Sequence, residues 1–192
     1  MTITRKTIAD FKSKLVGGGA RPNLFEVEFT TAAVKNASNF DADVFKLLCK
    51  SASLPASNIA AIDVPFRGRI FKVAGDRTVD TWTITVINDE DFKIRTAFEE
   101  WMQLIAHLAN NDGATQPAAY MHNATVKQLG RGDSASSTDS SASQADQAVL
   151  KEYKFIDMFP TNISAIDLSY DSGDTIEEFT IEFAVNNFER VD

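Results

Sequence analysis

Residues 81–86 read Thr-Trp-Thr-Ile-Thr-Val, a strict alternation of hydroxyl-bearing and large apolar side chains. Only an extended chain sends successive side chains to opposite faces. Six β-branched or aromatic positions at period two therefore predict a strand with one buried face. Two other segments repeat the pattern. Phe25, Val27 and Phe29 alternate with Glu26 and Glu28, and Phe179, Ile181, Phe183 and Val185 alternate with Glu178, Thr180, Glu182 and Ala184. Strands with one apolar face must share a core, so the chain has to fold around packed sheets.

The period changes directly after the first strand. Asn88–Asp91 form a polar, acidic break. Ile94, Ala97, Phe98, Trp101, Leu104, Ile105 and Leu108 then fall at helical spacing. This predicts one amphipathic helix of roughly 18 residues ending near "ANNDG", with the acidic break as its N-cap and first turn. "VFKLLCKSAS" reads as a return strand after a polar loop over 31–43. "AYMHNATVKQL", "VLKEYKFIDMFPTN" and "SAIDLSY" read as further strands. Leu54–Phe66 contains Pro55 and Pro65, which cannot donate to a ladder, so it reads as an extended excursion outside the central sheet. A basic hairpin arm fits "RGRIFKVAGDR", and Ile8, Phe11 and Leu15 suggest a short helix ahead of a glycine joint. Gly130–Gln147 lacks any large apolar residue and reads as a mobile surface loop. The expectation is a mainly β domain over 1–192. It is an antiparallel sandwich or barrel with one flanking helix, an arm at 1–20, an excursion at 54–77 and a loop at 130–147.

No constellation of residues points to chemistry. The one cysteine, Cys49, lies in an apolar run and reads as a buried structural thiol, so the chain is expected to fold in a reducing cytoplasm. His107 and His122 lie in different predicted elements with no cysteine pair nearby, which leaves no zinc ligand set. No G-x-S-x-G, Walker or G-x-G-x-x-G motif occurs. The acidic clusters have ordinary uses as caps, turns and strand faces. The tripeptide Arg131–Asp133 matches an adhesion motif at a length that chance supplies often. No apolar run reaches the length of a membrane span, and the first residues lack a signal-peptide core. The expectation is therefore no catalytic residue, no metal, no cofactor and no membrane anchor.

Charge is distributed unevenly. Met1–Arg77 carries 12 basic and 7 acidic residues, whereas Thr78–Asp192 carries 7 and 20, so the net −8 conceals a positive first part and a strongly negative remainder. The acidic total opposes nucleic-acid binding. The polarity suits either subunits that meet head to tail or a single acidic surface.

Five strings carry a further signal: "ARPNLFEVEF", "SLPASNI", "VAGDRTVDTWTITVINDE", "FEEW" and "FPTNISAIDLSYDSGDTIEEFTIEFAV". In order, from about Ala20 to Phe188, they resemble the tail tube protein of large contractile-tailed bacteriophages. The resemblance implies a virion component assembled in the host cytoplasm. Six copies would join strands into the inner barrel of a ring. Rings would stack into a hollow tube inside a contractile sheath, with baseplate and tail-terminator proteins at its ends. DNA would pass through an acidic lumen without specific binding. The excursion would reach neighbouring subunits, placing Arg67, Arg69, Phe71, Asp76 and Arg77 in inter-subunit contact. Glu178 and Glu182 would face the lumen or the sheath. A tube subunit of a related bacteriocin or type VI secretion apparatus, and a tail-associated binding module using the Ser-rich loop, stand as alternatives.

Overall fold

The computed structural model describes residues 6–15, 19–29, 40–110, 112–131 and 148–191. Most of the polar loop expected at 31–43 and of the Ser-rich loop expected at 130–147 lies outside these residues. Among the described residues eight strands appear: β1 Phe25–Phe29, β2 Cys49–Ala52, β3 Ser57–Phe66, β4 Arg69–Val79, β5 Trp82–Ile87, β6 His122–Leu129, β7 Val149–Ile163 and β8 Glu178–Val191. Four helices accompany them among the described residues: α1 Ile8–Lys14, α2 Ala42–Leu48, α3 Lys93–Ile105 and α4 Pro117–Tyr120. Six strands form one antiparallel sheet in the order β1-β6-β7-β8-β5-β2, and its two edge strands lie close together. The sheet is thus curled into a nearly closed barrel. Among the described residues β3 and β4 pair only with each other, as a long hairpin outside that sheet.

The alternating strands turn their apolar faces inward as the pattern requires. Trp82, Ile84, Val86, Phe179, Ile181, Phe183, Val27 and Phe29 are all buried. Phe29 is the hub. Its ring centroid lies 5.1 Å from Phe45, 5.5 Å from Phe98, 5.8 Å from Phe183 and 6.2 Å from Trp101. Each tryptophan places its N–H on a carbonyl: Trp82 Nε1 donates to Ser53 O and Trp101 Nε1 to Tyr120 O, each at 2.8 Å. Aromatic bulk therefore enters the core without stranding a donor. Cys49 is buried, and burial pushes its thiol up to about 12, so it remains protonated and unreactive at neutral pH.

Several expectations are corrected. "VFKLLCKSAS" is not one strand. Asp41 caps α2, accepting from the N–H groups of Asp43 and Val44, and only Cys49–Ala52 is extended. Phe45 goes into the core while Val44 and Leu47 stay exposed, which matches one helical turn. Leu54–Phe66 is more regular than its prolines suggested. Pro65 lies within β3, where the partner strand is on one side only and a missing N–H is tolerated. "SAIDLSY" is a connection between β7 and β8, and "AYMHNATVKQL" is a strand, β6, from His122 onward, its first two residues being the end of the short helix α4. Helix α3 spans 13 residues and ends before Leu108, which is 95% exposed. Its N-cap is Phe92 in the left-handed region, but Asp89 still accepts from the N–H groups of Lys93 and Ile94. The acidic break thus caps α3 from one turn upstream, and the first turn itself contains no acid.

Two buried or half-buried groups make the fold acid-sensitive. His122 is buried against Trp101, ring centroids 5.2 Å apart, and its Nε2 has no partner among the described residues. Burial holds its pKa below the ordinary 6.5. Glu28 accepts from Lys127 at 3.1 Å and lies 3.4 Å from Lys46; the Lys127 hydrogen bond, opposed by partial burial, holds its pKa below 4.5. For both groups the unfolded chain binds protons first as pH falls. Stability is therefore expected to fall below pH 6.5 through His122, and again below pH 4.5 through Glu28. Thermal melts of His122→Gln against pH should lose the first decline and keep the second.

Candidate assembly interface

The hairpin β3–β4 is built by its turn. Arg67 and Gly68 are the two central residues, with φ of 46° and 81°. Positive φ at both positions is the type I′ geometry that suits a two-residue hairpin, and Gly68 adopts it without a Cβ penalty. Lower down, a Cβ on Gly75 would sit 3.0 Å from the Ala60 carbonyl oxygen, beside the register shift between Ile59 and Ala61. Gly75 therefore permits the close strand approach at this irregularity.

Register sorts the two faces. Ile62 pairs with Val73, Val64 with Phe71 and Phe66 with Arg69, so these side chains share one face. The other face holds Asp63 opposite Lys72, joined at 2.8 Å, and Pro65 opposite Ile70. The first face is apolar and open: Phe66 is 65% exposed and Phe71 66%, with Ile62, Val64 and Val73 also exposed. A contiguous apolar surface of this kind marks an interaction site.

The expected contact residues distribute along this hairpin. Arg67 occupies the turn, its guanidinium 5.3 Å from the Phe66 ring centroid. Arg69 and Phe71 lie near the tip, both on the apolar face. Asp76 and Arg77 lie toward the base. The Arg77 guanidinium sits 5.2 Å from the Phe188 ring centroid, which braces the hairpin base against β8 of its own chain. Glu178 and Glu182 are elsewhere, on the outward face of β8, because Phe179, Ile181 and Phe183 take the inward positions. Lys50 holds Glu178 at 2.6 Å, while Glu182 makes no ion pair among the described residues. The apolar members Ile62, Val64 and Phe66 escape the sequence reading. Their signal is nonetheless present: "RG" as a two-residue turn places their alternation opposite Phe71 and Val73.

A second open surface forms the connection between β7 and β8. A cleft of about 560 Å³ is lined there by Ile166, Leu168, Tyr170, Ile176 and neighbouring acids. Leu168 is 80% exposed, Ile176 72% and Tyr170 fully exposed. Among the described residues no group of three or more His, Cys, Asp or Glu is placed to hold a metal, and no helix is long and apolar enough to cross a membrane.

A family model described as phage tail tube protein matches residues 20–190. The tail tube protein gp19 of Enterobacteria phage T4 is 34% identical over 173 residues, covering 90% of this chain and 93% of the relative. The chain belongs to the phage tail tube protein family. Its role is that of a tail tube protein of a contractile phage, a structural component of the virion tail. Solved structures of contractile injection systems share the fold. The anti-feeding prophage tube-terminating cap superposes with a TM-score of 0.60 at 14% identity, covering 90% of this chain and 91% of that one. The extended sheath–tube complex of an extracellular contractile injection system, PVC, gives 0.56 at 14%, covering 97% and 99%. The family match begins at residue 20, so α1 precedes the matched domain. No residue of α1 is buried, although Thr7 and Asp10 close its capping box.

Proposed function

We propose that six copies of this chain close a ring through strand pairing and that the rings stack into the hollow tube of the tail. The observation that carries this is the uncovered apolar face of the β3–β4 hairpin on a tube-family domain. Five large apolar side chains on a projecting hairpin are costly in water and are stabilised when another surface covers them. The hairpin residues Arg67, Arg69, Phe71, Asp76 and Arg77 lie in or beside contacts between copies. Arg77 also fixes the hairpin base within its own chain.

The tube works without catalysis. Its wall conducts DNA by not binding it: the chain carries net charge −8, and carboxylates facing phosphates repel them. Glu182, outward on β8 and free of an ion pair among the described residues, faces the lumen, whereas the carboxylate of Glu178 is occupied by Lys50. The sheath covers the outside, and baseplate and terminator proteins meet the two ends. Identity of 34% to a phage protein, against 14% for the injection-system structures above, favours a phage tail over a related secretion or bacteriocin apparatus.

Negative-stain electron microscopy of the purified chain, with native mass measurement, tests the reading. Hollow rings or tubes of six-fold symmetry are expected. A chain that stays monomeric even with sheath and baseplate components present contradicts it.

A further inference from the structure

The two open surfaces have opposite character. The hairpin tip ends its apolar face in two cations, Arg67 and Arg69. The β7–β8 connection lines its cleft with exposed Leu168, Tyr170 and Ile176 and with Asp167, and the same connection carries the exposed Asp171 and Asp174 outside that lining. None of these five charged side chains makes an ion pair among the described residues. Each surface combines exposed apolar side chains with charges, and the charges are of opposite sign. The uneven charge of the chain, positive to Arg77 and negative after it, thus becomes two specific patches.

We infer that the tip of the β3–β4 hairpin of one copy seats in the 166–176 cleft of the next. The inference rests on the tube reading and supplies the surface that receives the hairpin. Phe66 and Phe71 enter the cleft beside Leu168 and Ile176, and Arg67 and Arg69 meet Asp171 and Asp174. Donor and acceptor are different patches, so the contact is heterologous and repeats from copy to copy, as a ring or a stack requires. Apolar burial supplies the affinity, and the charges set register and partner choice. Helix α1 is a rival occupant, with Ile8, Phe11 and Leu15 exposed and Lys12 and Lys14 in its last turn. It offers three side chains on or beside seven helical residues ahead of Gly17–Gly19, against five on a paired hairpin with a fixed turn. The hairpin loses less freedom on docking.

Charge exchange tests the pairing. The variants are Arg67→Glu/Arg69→Glu, Asp171→Lys/Asp174→Lys and their combination. All four positions are exposed, and a thermal melt confirms that each variant folds. Each reversal alone is expected to reduce sedimentable assembly about tenfold or more, and the combination to restore most of it. Single reversals without effect, or a combination no better than either parent, overturn the pairing while wild-type assembly still upholds the tube. Rescue of Asp171→Lys/Asp174→Lys by Lys12→Glu/Lys14→Glu instead assigns the cleft to α1 and overturns the inference. A wild-type chain that never assembles overturns both.

Discussion

Replacing Phe66 and Phe71 with serine is expected to abolish ring and tube formation while leaving the monomer folded. Both rings are about two-thirds exposed, so they contribute little to the stability of the isolated domain. The ladder between β3 and β4 and the turn at Arg67–Gly68 do not depend on these rings. Covered by another copy, each ring would contribute roughly 1.5–3 kcal/mol of apolar burial. Loss of two such anchors from the centre of one contact weakens association by several orders of magnitude, because every 1.4 kcal/mol is about tenfold. The contact also repeats at each subunit, so the loss multiplies along the assembly. Sedimentation and electron microscopy read the assembly, and a thermal melt reads the fold. A melt displaced by many degrees would show that the face is structural within one chain.

Phe29→Ala should produce the opposite pattern, a loss of stability that precedes any loss of assembly. Phe29 is 2% exposed and touches the rings of Phe45, Phe98, Trp101 and Phe183, which come from α2, α3 and β8. Truncation removes the junction of the sheet with both helices and leaves a cavity that rigid aromatic neighbours fill poorly. The expected cost is about 3–5 kcal/mol. In a domain of this size that lowers the melting midpoint by on the order of 10 °C. Phe29→Leu keeps most of the volume and should cost clearly less. Equal losses for the two variants would contradict a hub role.

The parts of this fold that are legible in the sequence are those where one physical demand dominates. β5 must bury one face along its whole length, and Trp82, Ile84 and Val86 declare it at period two. Phe179, Ile181 and Phe183 do the same for the first half of β8. The stripe Ile94, Ala97, Phe98 and Trp101 declares α3 at helical spacing. Its last members mislead, because Leu104 and Leu108 are apolar yet exposed. Segment α2 is illegible because seven residues hold a single buried anchor, Phe45, and one anchor has no period. The hairpin is half legible. Its prolines and charges mark it as standing outside the sheet, but its regular pairing follows from the two-residue turn, which a search for chemistry passes over. The assembly surface is hard to read for a general reason. An exposed apolar residue and a core residue look alike in sequence, and only the fold tells Phe71 from Phe155. The family resemblance, by contrast, extends through strings that include both the barrel strands and the β7–β8 connection.

If the β3–β4 hairpin exists to be covered by another copy of the chain, a cryo-electron microscopy reconstruction of the assembled protein shows it most directly. Ile62, Val64, Phe66, Phe71 and Val73 are expected to lie buried against a neighbouring subunit in every ring. A reconstruction in which that face points into solvent or into the lumen would contradict this role for the hairpin.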